Sequence, residues 1–190
     1  MPFGSGEMGR PEPERTIETK PIFSGRIITV QVDTVELPDG KTTTREIVRH
    51  PGAAAVLAIR DDRLIVVEQY RKPLGRTLVE IPAGKLEPGE DPMVTAGREL
   101  EEETGWRAGR LELIGSFYTS PGFADEKLYL YAAYDLTRGN RKPDEDELLN
   151  VDAITLEQAD RYIREGRIGD AKTIIAVQAW RLFRLTGSFA

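Results

Sequence analysis

Residues 84–106 read GKLEPGEDPMVTAGRELEEETGW, and this stretch decides how the rest of the chain is read. Pro82, Gly84, Pro88 and Gly89 mark a loop at its start, and Glu90 and Asp91 fall where a helix N-terminus favours negative charge. Thr104-Gly105 closes the segment with glycine at the expected C-terminal position. Between these ends Met93, Val94, Ala96 and Leu100 form an apolar stripe, which predicts a helix with one buried side and an acidic side facing outward. At roughly 100° per residue, Glu99, Glu102 and Glu103 share one face of that helix, where like charges repel. Acidic runs on helices are usually solvated faces. This one is framed by a Gly/Pro loop and a sharp stop, and its three carboxylates call for a compensating cation. Mg²⁺ is a hard ion that takes carboxylate oxygens together with substrate phosphates.

Gly84, Glu90 and the run Arg98-Glu99-Leu100-Glu101-Glu102-Glu103-Thr104-Gly105-Trp106 resemble the Nudix box at every defined position. The resemblance implies an α/β protein, the Nudix α/β/α sandwich with a mixed sheet. It further implies a hydrolase of nucleoside diphosphates linked to another moiety, dependent on Mg²⁺ or Mn²⁺ with more than one ion per site. Glu99, Glu102, Glu103 and the backbone carbonyl of Ala83 are the implied ligands. Glu99 and Glu103 stand one helical turn apart, as ligands to adjacent ions should. Glu101 points away from them and is expected in solvent. Arg98 is expected to orient the carboxylates or to pair with Glu90.

Composition narrows the partners. The formal charge of −6 comes without a long basic tract, which argues against nucleic acid as a partner. The chain has no cysteine, so disulfides, thiolate metal sites and a cysteine nucleophile are excluded; a single histidine, His50, leaves little material for imidazole chemistry. No apolar run approaches the roughly 18 residues that suggest a membrane span. The cytoplasm is the expected compartment. Residues 1–15, rich in Gly, Pro and charge, read as a disordered leader, 16–50 as an N-terminal β region and 51–190 as the hydrolase domain. In the β region, strands at 27–35 and 42–48 flank the Pro38-Asp39-Gly40 turn, a hairpin too small to be stable alone. Further strands are predicted at 53–59, 64–69, 78–81, 111–118, 127–134 and 150–154. Helices are predicted at 156–165, capped by Thr155, and at 171–185.

Outside the box the chain resembles the ADP-ribose pyrophosphatase subgroup. Pro121 lies 15 residues after Trp106, in TSPGFADEK, and Glu126 in that segment is implied to hydrogen-bond the terminal ribose. Arg71, in Glu68-Gln69-Tyr70-Arg71, is implied to clamp a phosphate with its planar fork. The subgroup exchanges its N-terminal strands between subunits, which implies a homodimer in which Arg45 or Arg49 reaches substrate across the interface. A base is sought in the loop Asp144-Glu145-Asp146-Glu147. Glu145 matches the base and Glu147 a further metal ligand, although a two-residue shift exchanges them. The expected reaction is ADP-ribose plus water to AMP and ribose 5-phosphate. The alternatives are another nucleotide sugar such as GDP-mannose or ADP-glucose, a damaged nucleoside triphosphate, and a catalytically silent ADP-ribose-binding module.

Overall fold

Among the described residues the first strand begins at Arg15; of the leader expected at 1–15, residues 1–11 lie outside the described residues. The computed structural model describes residues 12–143 and 148–189. The chain divides into two compact units, one made of residues up to His50 with Gly122–Asp125, the other of Pro51–Pro121 and the chain from Glu126 onward. In the first unit β1 (Arg15–Ser24), β2 (Thr29–Glu36) and β3 (Thr42–Arg49) form an antiparallel sheet in the order β1-β2-β3. The predicted hairpin is thus β2–β3, closed by a turn in which the Gly40 N–H donates to the Leu37 carbonyl at 2.9 Å. The strand β1 was not predicted: every one of its residues is exposed and Pro21 breaks its alternation, so no buried face marks it in the sequence. Within the same unit the Val48 N–H donates to the Phe123 carbonyl at 2.8 Å.

The second unit is organised by β4 (Ala53–Arg60), whose apolar run suits a strand covered on both sides. Ala53, Ala55 and Leu57 belong to one core cluster, and Ala54, Val56 and Ala58 to the other. Successive side chains of a strand point to opposite faces, so this alternation places a core on each side of the sheet. Asp61 and Asp62, at φ 50° and 57°, make the tight turn into β5 (Arg63–Arg71). Aspartate tolerates the left-handed region, and two such residues in succession give the turn whose twist matches a hairpin.

β4 and β5 pair only next to this turn, at Ile59↔Leu64 and Arg60↔Arg63. Farther along, β6 (Arg76–Glu80) pairs with β5 and β7 (Ala83–Lys85) pairs with β4. The joining residues Ile81-Pro82 cross between them, and the Val56 N–H donates to the Pro82 carbonyl at 2.9 Å. This splaying delivers Ala83 and Gly84 to the start of the acidic segment.

That segment folds as α1 (Pro92–Thr104), with the Asp91 carboxylate capping the Met93 N–H and Gly105 at φ 73° ending the helix. After the short β8 (Trp106–Arg107), β9 (Arg110–Tyr118) runs antiparallel to β10 (Lys127–Tyr134), which lies parallel to β4. A two-residue β11 (Thr137–Arg138) pairs with β8, and β12 (Leu149–Ile154) pairs with β5. The sheet order β12-β5-β4-β10-β9 is therefore mixed. α2 (Leu156–Arg164) starts at the predicted Thr155 with a reciprocal capping box to Gln158, and α3 (Ala171–Thr186) follows. α1 buries Ala96 and Leu100 on one face of the sheet, while α2 and α3 bury Ala159, Tyr162, Val177 and Trp180 on the other. The expected α/β/α sandwich with a mixed sheet is the fold found. Among the described residues no helix is long and apolar enough to cross a membrane.

Trp180 is the largest fully buried side chain, at 1% exposure. Trp180→Ala should lower unfolding free energy by about 3–5 kcal/mol, read as a shift in denaturant midpoint at constant slope. A loss below about 1 kcal/mol would show that this side of the core is not close-packed around the indole.

Candidate active site

Three glutamates on α1 and a glycine on β7 fit against one another. A Cβ placed on Gly84 would stand 1.9 Å from the carboxyl carbon of Glu99, so only glycine leaves that carboxylate its position. One residue earlier, the Ala83 N–H donates to the Glu103 carboxylate at 3.1 Å. Glu99 and Glu103 are buried, at 9% and 2% exposure, which corrects the expectation that the acidic face of α1 looks outward. The apolar stripe is corrected too. Met93 and Val94 are exposed, whereas Thr95, Ala96, Leu100 and Thr104 are buried beside the two glutamates.

Arg98 fulfils both roles expected of it. Its guanidinium meets Glu99 at 2.8 Å and Glu102 at 3.0 Å, and it also reaches Glu90 through two contacts at 3.2 and 3.3 Å. Hydrogen bonding to Arg98 is the main reason that the Glu90 carboxyl titrates at about 2. Burial works against the Arg98 charge, but Glu90, Glu99 and Glu102 outweigh it and push its pKa up. Glu101 is not merely solvated. It pairs with Arg107 at 2.6 Å and accepts the Asn140 N–H at 3.0 Å, and Arg107 holds its carboxyl below the usual range.

Glu101 belongs to a larger contact at the end of α1. The Gly139 N–H donates to the Gly105 carbonyl at 2.9 Å and the Lys142 N–H to the Glu102 carbonyl at 2.9 Å. Arg141 joins two carbonyls, Glu103 at 2.8 Å and Leu149 at 2.6 Å. Carbonyls of the final turn that lack intrahelical partners are satisfied in this way. Residues 139–142 are thereby fastened to the acidic helix, and Arg141 links Leu149 to them. Glu145 and Glu147 lie outside the described residues.

A second ionic group was missed in the sequence. Glu80, at the end of β6 and 2% exposed, takes a two-pronged contact from Arg71, with Nε and Nη2 each at 2.7 Å. Lys172 at the start of α3 also bonds Glu80, and it reaches Asp170 at 2.8 Å. Burial pushes the Glu80 carboxyl up, but Arg71 and Lys172 outweigh it and bring its pKa to about 2. The only signal was a carboxylate inside the apolar run Leu78-Val79-Glu80-Ile81. Arg71, predicted to clamp a phosphate, thus has two of its nitrogens on Glu80.

Among the other predicted residues, Glu126 is half-buried and accepts a hydrogen bond from the Thr119 hydroxyl, and Pro121 is exposed in the turn beyond β9. In the first unit Arg45 pairs with Glu14, and Arg49 pairs with Asp125 at 3.0 Å. The structure joins Glu90, Glu99 and Glu102 through Arg98, seats Glu99 against Gly84, and ties Glu103 to the neighbouring Ala83 backbone.

Their donors suit a hard divalent cation: carboxylate oxygens on one helix face, with Gly84 keeping the space beside Glu99 free of side chain. Among the described residues no three acidic or histidine groups already converge as an ion cage. The Arg98 guanidinium supplies positive charge among Glu90, Glu99 and Glu102. Gly84→Ala should displace Glu99 and lower any cation-dependent turnover by about 10²-fold, the scale of a 1 Å misplacement. Steady-state kinetics checks this, and unchanged turnover would mean that the Glu99 position is immaterial.

Comparison with known proteins agrees with this fold. The family model described as the NUDIX domain matches residues 48–176, and that of the nucleoside diphosphate sugar hydrolase N-terminal domain matches residues 14–48. The methanol dehydrogenase activator of Bacillus methanolicus is 56% identical over 92% of this chain and 96% of its own. The ADP-ribose pyrophosphatase of Bacillus subtilis is 53% identical over 89% of this chain and 93% of its own. A crystal structure of an ADP compounds hydrolase superposes with a TM-score of 0.84, covering 96% of this chain and all of the other at 21% identity, which is a likeness of fold.

Proposed function

The chain belongs to the Nudix family, and from that premise we propose that it hydrolyses the pyrophosphate bond of ADP-ribose to AMP and ribose 5-phosphate. The observation that carries the reading is the fit of Gly84 against Glu99, with Glu103 tied to the Ala83 backbone, in a chain 53% identical to a protein of that activity.

Cleavage of a diphosphate asks the protein mainly for positioning and charge stabilisation. Glu99, Glu102, Glu103 and the Ala83 carbonyl would hold Mg²⁺ or Mn²⁺, more than one ion per site. Bound there, the cations would neutralise the diphosphate and lower the pKa of the attacking water. Arg98 keeps the carboxylates oriented, and buried Glu103 is fixed by its backbone donor. Glu145 is assigned as the base that takes the proton of the water, with Glu147 as a further cation ligand; the anchoring of residues 139–142, just before them in the chain, at the end of α1 supports that assignment. Glu126 and the turn at Pro121 are assigned to the terminal ribose, and Arg71 to a phosphate. Arg45 and Arg49 are assigned to substrate across a homodimer interface made by the N-terminal strands. We place the enzyme in the cytoplasm.

The test is a hydrolysis screen of ADP-ribose, GDP-mannose, ADP-glucose and 8-oxo-dGTP with Mg²⁺ or Mn²⁺ and product identification. ADP-ribose should give the highest kcat/KM, with AMP as a product. Preference for another member of the panel would replace the substrate, and binding of ADP-ribose without turnover would point to a silent module. The 56% identity to a methanol dehydrogenase activator favours a second reading, in which the chain stimulates an alcohol dehydrogenase. Adding it to purified methanol dehydrogenase and following alcohol oxidation tests that; an unchanged rate removes it.

A further inference from the structure

Apart from the acidic cluster, arginine side chains converge on Trp106, just past the end of α1. The Arg60 and Arg138 guanidinium carbons lie 4.2 and 3.9 Å from the centroid of its ring. That places the two cations within about one Debye length (~8 Å) of each other. Arg63 joins them in lining a pocket of about 270 Å³, together with Asp61, Trp106 and Ala153. The three arginines come from the ends of β4, β5 and β11, so the sheet and the β8–β11 pairing fix their convergence.

The charges in this pocket do not balance. Among the described residues Asp61, at 3.3 Å from Arg60, is its one acidic lining residue, and its side chain is 84% exposed. Arg63 donates to the neutral Ala153 carbonyl at 3.2 Å. Among the described residues Arg138 has no carboxylate partner. Among the described residues, three guanidiniums against one carboxylate leave an excess of two positive charges, on a chain whose net charge is −6. Stacking on an indole stabilises each cation without neutralising it. Guanidinium groups match phosphate oxygens with paired N–H donors, and a dianion balances this excess.

We propose that the Trp106 pocket is a binding site for a phosphate dianion, either free or as the terminal group of a phosphate monoester. Arg63 and Arg138 are its principal donors, and Arg60 is shared with Asp61. The site is separate in composition from the acidic cluster and needs no divalent cation.

Isothermal titration in EDTA, with inorganic phosphate, AMP and ribose 5-phosphate as separate ligands, tests this. At least one should bind saturably. Arg63→Gln and Arg138→Gln should each weaken binding at least 10-fold, whereas Glu103→Gln should leave it unchanged. Both arginines are exposed, so these variants should fold, and circular dichroism verifies it. Tryptophan emission of the wild-type protein should also shift with phosphate, because Trp106 lines the pocket; Trp180 is buried in the other core cluster. Tighter binding of inorganic phosphate would identify the free ion as the ligand, and tighter binding of AMP or ribose 5-phosphate the monoester. Absence of binding in EDTA, equal affinity in the arginine variants, or loss of binding in Glu103→Gln would overturn the proposal.

Discussion

Glu103→Gln should lower cation-dependent AMP release from ADP-ribose by at least about 10²–10³-fold while the protein stays folded. Glutamine has nearly the same shape, and its amide oxygen can still accept the Ala83 N–H now held at 3.1 Å. What it removes is one negative charge and one hard oxygen donor, at a position only 2% exposed where solvent cannot replace them. Helix and sheet contacts are untouched, so thermal unfolding should move little. The loss should fall on kcat more than on KM if the charge acts mainly in the transition state. Turnover near the wild-type value in a folded Glu103→Gln protein would end its assignment as a cation ligand.

The largest effect on stability outside the apolar core is expected at Glu80. Glu80→Ala leaves Arg71 and Lys172 without the carboxylate that both contact, and breaking a buried pair in this way costs about 3–5 kcal/mol. The effect has a direction in pH. The Glu80 pKa is lowered from 4.5 to about 2 in the folded protein, so the unfolded chain binds the proton more readily. Its contribution, about 3 kcal/mol by linkage, is fully present above pH 4.5 and is lost as pH falls toward about 2. Denaturant unfolding of wild type and Glu80→Ala at several pH values should therefore give curves that converge on acidification. A gap that stays constant from pH 6 to pH 3 would show that ionisation of Glu80 is not the source.

These two residues also show what the chain discloses as text. Glu103 was legible because its partners are local: a helix with a cap at Asp91 and a stop at Gly105 sets the spacing of the carboxylates, and Gly84 lies in the same segment. Glu80 was not, because Lys172 stands 92 residues away and meets it only once α3 packs beside β6. The same limit explains the stripe on α1. Periodicity gives a helix and its repeat, but which residues go inside depends on where the sheet meets it, and the sheet took Thr95 and Thr104 in place of Met93 and Val94. Strands with a buried face, such as β4 and β10, were read almost to the residue. The fully exposed β1 offered no contrast to read.

The alternating alanines of β4 have a mechanical consequence. Ala54, Ala58 and Ala96 are wholly buried in the core cluster that α1 shares with the sheet, so small side chains beside Val56 and Leu100 help set how closely the acidic helix approaches the sheet. The position of Glu99 against Gly84 is in this sense a dimension of the core as well as a property of the site. Enlarging Ala96 to leucine would act as a shim, lifting α1 at a cost of about 1–3 kcal/mol and carrying all three glutamates with it. A gauge set by such small parts has little adjustment in the inward direction, and the spacing of the carboxylates is as well defined as the packing beneath them.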